Sequence, residues 1–152
     1  VGIIGCDPYV NGIADLLGLI DSGSLRNVRI FPDDGLILLR SLADSVIARL
    51  FLMFPDPWPK KRHHKRRILQ PAFLELAASR LQPGGTLHIA TDWSDYAEHI
   101  DELFTGSALF RLDERREHAG GCPPDRVTTK FERRGLEKGH RIRDWRFVRK
   151  PS

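Results

Sequence analysis

Apolar and polar residues change period several times along the chain, and each change marks an element. VGIIGC, residues 1–6, is an unbroken apolar run, the pattern of a strand buried on both faces. Ile13, Leu16, Leu17 and Ile20 then recur at helical spacing, with Asn11 suited to cap the start and Gly23 the end. A short strand follows from Asn27 to Phe31, then a PDDG turn and a leucine-rich helix from Gly35 to about Ala43. Ile47 to Phe54 is again almost wholly apolar and reads as a third strand.

The second half repeats the alternation. Residues 69–81 predict a helix that tolerates Pro71 in its first turn and stops at Pro83-Gly84-Gly85. TLHIAT, residues 86–91, is a fourth strand, and Ser94 is placed to cap a helix carrying Tyr96, Ala97, Ile100 and Leu103. Residues 108–112 predict a fifth strand and residues 115–126 irregular chain. Thr129-Lys-Phe-Glu132 has the spacing of a capping box opening a helix that ends near Gly139. Ile142 to Arg149 is the last strand. Strands alternating with helices predict an α/β domain with a mostly parallel, doubly wound sheet. The last two strands lack a crossover of the earlier length, which leaves room for an antiparallel edge.

Composition narrows the class. At 152 residues, 41% hydrophobic and 29% charged, the chain has the make-up of one soluble globular domain. No apolar run reaches the roughly 20 residues of a membrane helix, and no basic leader precedes the first apolar run. The net charge of +4 points to a polyanionic partner, and its distribution says more. Six of the eight residues 60–67 are Lys or Arg, with no acid between Asp56 and Glu75. Cys6 and Cys122 have no metal-ligand spacing and read as reduced cytosolic thiols, and the scattered histidines suggest no metal site.

In an open α/β sheet, ligands bind beyond the carboxyl ends of the strands. Each of the first four predicted strands ends at an acid: Asp7, Asp33 and Asp34, Asp56, Asp92. Asp7 could accept two hydrogen bonds from a ribose diol, and serves equally as a turn former before Pro8. Asp34 could accept from an adenine amino group or simply form the turn before Gly35. Phe54-Pro-Asp-Pro-Trp is more specific: two prolines stiffen the chain around Asp56, and Trp58 offers a stacking face for a flat base. The basic run beside it suits phosphate contacts that fix register without reading sequence. Asp92-Trp93 repeats the acid-and-aromatic pairing on the next strand. Thr129 and Glu132 also fit a plain helix cap.

Assembled, FPDPWPKKRHHKRR at 54–67, PGGTLHIATDW at 83–93, YAEH at 96–99, TKFERRG at 129–135 and GHRIRDWRF at 139–147 make the chain resemble the bacterial tRNA (guanine-N7)-methyltransferase family over nearly its whole length. The resemblance implies a Rossmann-like class I methyltransferase sheet in a single domain spanning residues 1–152. It implies transfer of a methyl group from S-adenosylmethionine to N7 of a guanine in the tRNA variable loop. It further implies a cytoplasmic monomer or homodimer, with tRNA as partner and no metal. By the same resemblance, Asp7, Asp34 and Asp56 are cofactor-binding, and Asp56 also belongs to the active site. Lys60, Asp92 and the stretch Thr129, Lys130, Phe131 and Glu132 are substrate-binding, while Arg62, His63, His64, Lys65, Arg66 and Arg67 contact RNA.

One departure matters. The family opens with a strand and a glycine-rich loop that wraps the cofactor, and Gly2, Gly5, Gly12 and Gly18 do not make that pattern. The chain thus reads as N-terminally truncated, starting at the family's second strand. Two apolar strands are expected to lack a shared neighbour, and the isolated chain is expected to bind S-adenosylmethionine weakly or not at all. Asp7 also stands where the family has Glu, one methylene longer. The principal alternative is a tRNA-binding remnant without turnover. A methyltransferase acting on another base or on protein would not need the full FPDPW-plus-basic-loop set. A nicotinamide-dependent oxidoreductase would need a dinucleotide glycine fingerprint, which is absent.

Overall fold

A computed structural model describes residues 2–120 and 127–151. The chain divides into two compact units, residues 1–43 and 44–152.

In the first unit, β1 (Ile3–Cys6) pairs in parallel with β2 (Val28–Phe31) across α1 (Val10–Ser22), and α2 (Gly35–Ser41) follows. The expected burial of β1 on both faces does not hold, since Ile3 and Ile4 are about half exposed. Two strands and two short helices have too little surface to cover both faces of a sheet. Asn11 does not cap α1. Tyr9 holds the N-cap position without a side-chain bond, and Asn11 lies inside the helix.

The second unit carries a four-stranded sheet in the order β3-β4-β6-β5. Its elements are β3 (Ile47–Met53), α3 (Pro71–Arg80), β4 (Leu81–Thr91), α4 (Ser94–Phe104), β5 (Phe110–His118), α5 (Lys130–Glu137) and β6 (Ile142–Arg149). β3 and β4 are parallel, and β6 runs antiparallel to both β4 and β5. The expected antiparallel strand is present, but it lies inside the sheet and β5 takes the edge. Among the described residues β3 pairs only with β4, and β1 only with β2.

Several boundaries move. α3 starts at Pro71, two residues later than expected, and ends at Arg80, ahead of the Pro-Gly-Gly signal. Leu81 already pairs with Ile47, whereas Thr86 pairs with Arg49, so residues 82–85 bulge out with Gly84 at φ +76°. Trp93, not Ser94, occupies the N-cap of α4. β5 continues to His118, through residues expected to be irregular; the part of that expectation covering 121–126 lies outside the described residues.

Alternation along β6 assigns the two faces of this sheet. On one face Phe147 stacks on Phe104 at 3.7 Å, and the Trp145 indole N–H donates to Asp101 at 2.8 Å, which seats α4 there with Leu87 and Ile89. On the other face Asp144 accepts from His118 at 3.0 Å, and His118 lies 3.8 Å from the fully buried Glu132 of α5. The carboxyl ends of β3, β4 and β5 and the start of β6 therefore share one rim.

Candidate functional site

The rim is built from three loops. After β3, the Phe54 N–H donates to the Ala90 carbonyl at 2.8 Å, which ties the FPDPW turn to β4. Phe54 and Trp58 both hold left-handed backbone, φ 52° and 44°. Bulky L-residues adopt this only when the surroundings impose it, at a cost of about 1–3 kcal/mol each. The strain brackets Asp56, which is exposed, as is Lys60.

The basic run is not a loose loop. Lys61–Arg66 forms a 3-10 turn, with the Arg66 guanidinium 5.0 Å above the Trp58 ring and His63 edge-on to the same ring. Arg62, Lys65 and Arg66 are exposed and His63 and His64 half-buried. Arg67 departs from the phosphate-facing role expected for it. It is 2% exposed, donates to the Pro57 carbonyl at 2.8 Å, pairs with Asp95, and lies 4.7 Å over the Tyr96 ring. That side chain is an internal brace, and the exposed cations end at Arg66. The bond from Arg67 holds the Asp95 carboxyl below the usual carboxylate value. Burial pushes the Tyr96 hydroxyl up to about 12. Tyr96 and His99, one helical turn apart, clamp one residue: the Leu69 N–H donates to the Tyr96 hydroxyl at 3.4 Å, and His99 donates to the Leu69 carbonyl at 2.7 Å. This is the structural content of YAEH, and it fixes the chain leaving the basic turn.

After β4, Asp92 and Trp93 open a cleft of about 480 Å³, lined also by Ser94, Asp95, Gly139, His140, Arg141 and Arg143. Asp92 accepts from His140 Nδ1 at 2.7 Å, and Trp93 meets the same imidazole edge-on at 6.2 Å. Because Asp95 lines the cleft and binds both Arg67 and, at 3.4 Å, His64, the basic turn is anchored at its mouth.

The third loop precedes α5. Thr129 and Glu132 form both bonds of the capping box, so the cap reading of these two residues holds. Glu132 is fully buried, whereas Lys130 and Phe131 are exposed and remain available to a ligand. In the first unit, Asp7 Oδ1 accepts from the Tyr9 N–H at 2.8 Å, and Asp34 caps α2 by accepting from the Leu36 N–H at 2.8 Å. Both turn readings are realised, and each carboxylate keeps lone pairs for a ligand. Burial, then the charges of Asp34, Asp7 and Asp33, push the Cys6 thiol up, which keeps it protonated rather than nucleophilic.

Sequence reasoning missed His140, Gly135 and the Arg67–Asp95 brace. His140 and Gly135 lie inside the GHRIRDWRF and TKFERRG motifs, but the His140 bond to Asp92 and the close approach of Gly135 to it each span more than 40 residues and leave no local signal. Among the described residues, no group of three or more His, Cys, Asp or Glu side chains is placed to hold a metal, and no helix is long and apolar enough to cross a membrane.

With that geometry in view, the fold is that of the Rossmann-like class I methyltransferases. The N-methyltransferase NodS from Bradyrhizobium japonicum WM9, in complex with S-adenosyl-L-homocysteine, superposes with a TM-score of 0.63 over 99% of this chain and 67% of its own, at 12% identity. An rRNA methylase from Streptococcus thermophilus gives 0.61 over 99% and 74%, also at 12% identity. The chain belongs to the Methyltransf_4 family, described as "Putative methyltransferase", whose model matches residues 1–145. It is 46% identical over 151 residues to the tRNA (guanine-N(7)-)-methyltransferase of Streptomyces coelicolor, covering 97% of this chain and 55% of that protein. The enzymes of that name from Pseudomonas aeruginosa UCBPP-PA14 and Nitrosomonas europaea are each 45% identical, covering 98% and 96% of this chain and 62% and 65% of theirs. The chain thus spans about half to two thirds of the curated relatives it matches.

Proposed function

We propose that this chain is the tRNA-recognising part of a methyltransferase that modifies guanine N7 in the tRNA variable loop with S-adenosylmethionine, in the cytoplasm. One observation carries this reading: the Asp92–Trp93 pair opens a cleft at whose mouth Asp95 anchors the basic turn. A carboxylate beside an indole, next to exposed guanidinium groups, suits a base on a phosphate backbone.

Guanine N7 carries a lone pair and no proton, so the protein need supply no general base. Its work is orientation. Asp92 accepts from guanine N1–H and the 2-amino group, turning N7 outward and raising its electron density. Asp56 is assigned to the active site, and its support is the strained turn between Phe54 and Trp58 that holds it. Lys60, Lys130 and Phe131 contact the substrate, and Arg62, His63, His64, Lys65 and Arg66 take phosphates. Arg67 shapes that surface from beneath. Asp7 and Asp34 have the acceptor capacity to hold ribose hydroxyls and an adenine amino group, and Asp56 is a third cofactor-binding acid. When bound, the cofactor supplies an electrophilic methyl group on a sulfonium sulfur.

The test is transfer of an isotope-labelled methyl group to bulk tRNA by the full protein, followed by nucleoside digestion. The label is expected in 7-methylguanosine. Recovery in another nucleoside would overturn the reading, and tight tRNA binding with no transfer would favour the binding-only alternative. Asp92→Asn is expected to slow single-turnover transfer roughly 30-fold, the equivalent of about 2 kcal/mol for a charge-assisted hydrogen bond. An unchanged rate would remove Asp92 from the mechanism.

A further inference from the structure

The motif GH at 139–140 has no role in this proposal, yet it lies against the residue on which the proposal turns. α5 ends in a Schellman turn. The Gly139 N–H donates to the Leu136 carbonyl at 2.9 Å, and the His140 N–H donates to the Gly135 carbonyl, also at 2.9 Å. Gly139 holds φ +75°, which a residue with a Cβ adopts only under strain. The chain therefore leaves the helix in one fixed direction, which brings the His140 ring onto Asp92.

Gly135 closes the other side. A Cβ there would stand 2.7 Å from Asp92 Oδ2 and 2.9 Å from its Cβ, so the absence of a side chain gives the carboxylate its seat. The two ends of α5 are thus both determined, by the Thr129–Glu132 capping box and by the Gly139 turn. Gly135 inside the helix and His140 just past its end therefore meet at one carboxylate.

A carboxylate can only accept, so His140 Nδ1 carries the proton in this bond. The bond uses one lone pair of Oδ2. It leaves Oδ1 whole and a second lone pair on Oδ2, enough to receive two donors side by side. Trp93, edge-on to the imidazole, completes the frame around the carboxylate.

We infer that His140 is a positioning residue: with Gly135 it locks the rotamer of Asp92 so that both carboxylate oxygens face the donor edge of a guanine base. This rests on Asp92 being the base-receiving group, and the experiment separates the two claims. Single-turnover methyl transfer and tRNA binding are measured for the full protein and for His140→Asn, His140→Leu, Asp92→Asn and the double variant His140→Leu/Asp92→Asn. Asn and Leu have the same shape, but only Asn can donate to Asp92 in place of Nδ1–H, so the pair controls for packing. His140→Leu is expected to lose about tenfold in transfer rate, the value of one hydrogen bond to a charged group. His140→Asn is expected to recover most of it. The double variant is expected to be no slower than Asp92→Asn alone. In wild type, nitrogen-15 NMR of the His140 ring is expected to report a protonated Nδ1.

Equal rates for His140→Asn and His140→Leu, or a double variant slower than Asp92→Asn by the full His140→Leu factor, would overturn the inference while leaving the function intact. Full activity in Asp92→Asn would instead overturn the reading beneath it.

Discussion

The Arg67 guanidinium is buried among Asp95, the Pro57 carbonyl and the Tyr96 ring, whereas Arg66, its neighbour in sequence, is exposed above Trp58. Adjacent cations thus do opposite work, and substitution separates them. Arg67→Met strips the Pro57 carbonyl and Asp95 of a shared donor and is expected to cost about 2–3 kcal/mol, the half-exposed Asp95 limiting the loss. Arg66→Ala is expected to change stability by no more than about 0.5 kcal/mol but to lower the slope of log K against log salt for tRNA by about one. Urea unfolding and salt-dependent binding measure the two effects, and the same profile for both variants would contradict the assignment. The brace also has a pH signature. Hydrogen bonding from Arg67 holds the Asp95 carboxyl below its ordinary value, so the folded state favours the ionised form. That stabilisation is present above the ordinary carboxylate range and is lost as pH falls through the folded value. The stability gap between wild type and Arg67→Met is therefore expected to narrow below about pH 4. A gap that stays constant down to pH 2 would show that the Asp95 pair is not its source.

Among the elements, α5 repays a direct test because its start is a local device. Thr129→Ala removes the acceptor for the Glu132 N–H and is expected to lower stability by about 1 kcal/mol. A thermal melt measures this, and no change would mean that packing alone holds the helix. The capping box was legible in the sequence because both partners lie three residues apart. The alternation of strands and helices was legible for the same reason, as was the span of β6. β5 was cut short because residues 111–117 carry charges on both faces and show no apolar period. What extends it is cross-strand pairing, with Arg146 donating to Asp113 at 2.7 Å and lying 3.1 Å from Glu114. At the site, FPDPW and the basic run could be read because they are contiguous. The separation of Arg67 from Arg66 could not, since it depends on Asp95 and Tyr96 arriving from α4.

At the scale of the molecule, the apolar interior is unevenly shared. Among the described residues, Leu39 is the only buried hydrophobic side chain of the first unit, and α1 buries none of its residues. The second unit holds the rest around the four-stranded sheet, among them Leu69, Phe73, Leu87, Ile89, Tyr96, Trp145 and Phe147. Its 109 residues are enough to bury a core of their own, whereas a two-stranded sheet with two helices is marginal in water. Residues 44–152 produced alone are therefore expected to melt in one cooperative transition, and residues 1–43 alone to show none. In the whole chain, amide exchange is expected to be slowest in β4 and β6 and faster by orders of magnitude in β1 and β2. The same division runs through the proposed function, since Asp56, Lys60, the basic turn, Asp92 and His140 all lie in the second unit and Asp7 and Asp34 in the first. Residues 44–152 should then retain tRNA affinity within about threefold of the whole chain at equal salt, because phosphate contacts dominate that affinity. A cooperative fold that has lost RNA binding would move the phosphate-binding surface out of the basic turn. A chain that fails to fold would show that the first unit contributes to the core.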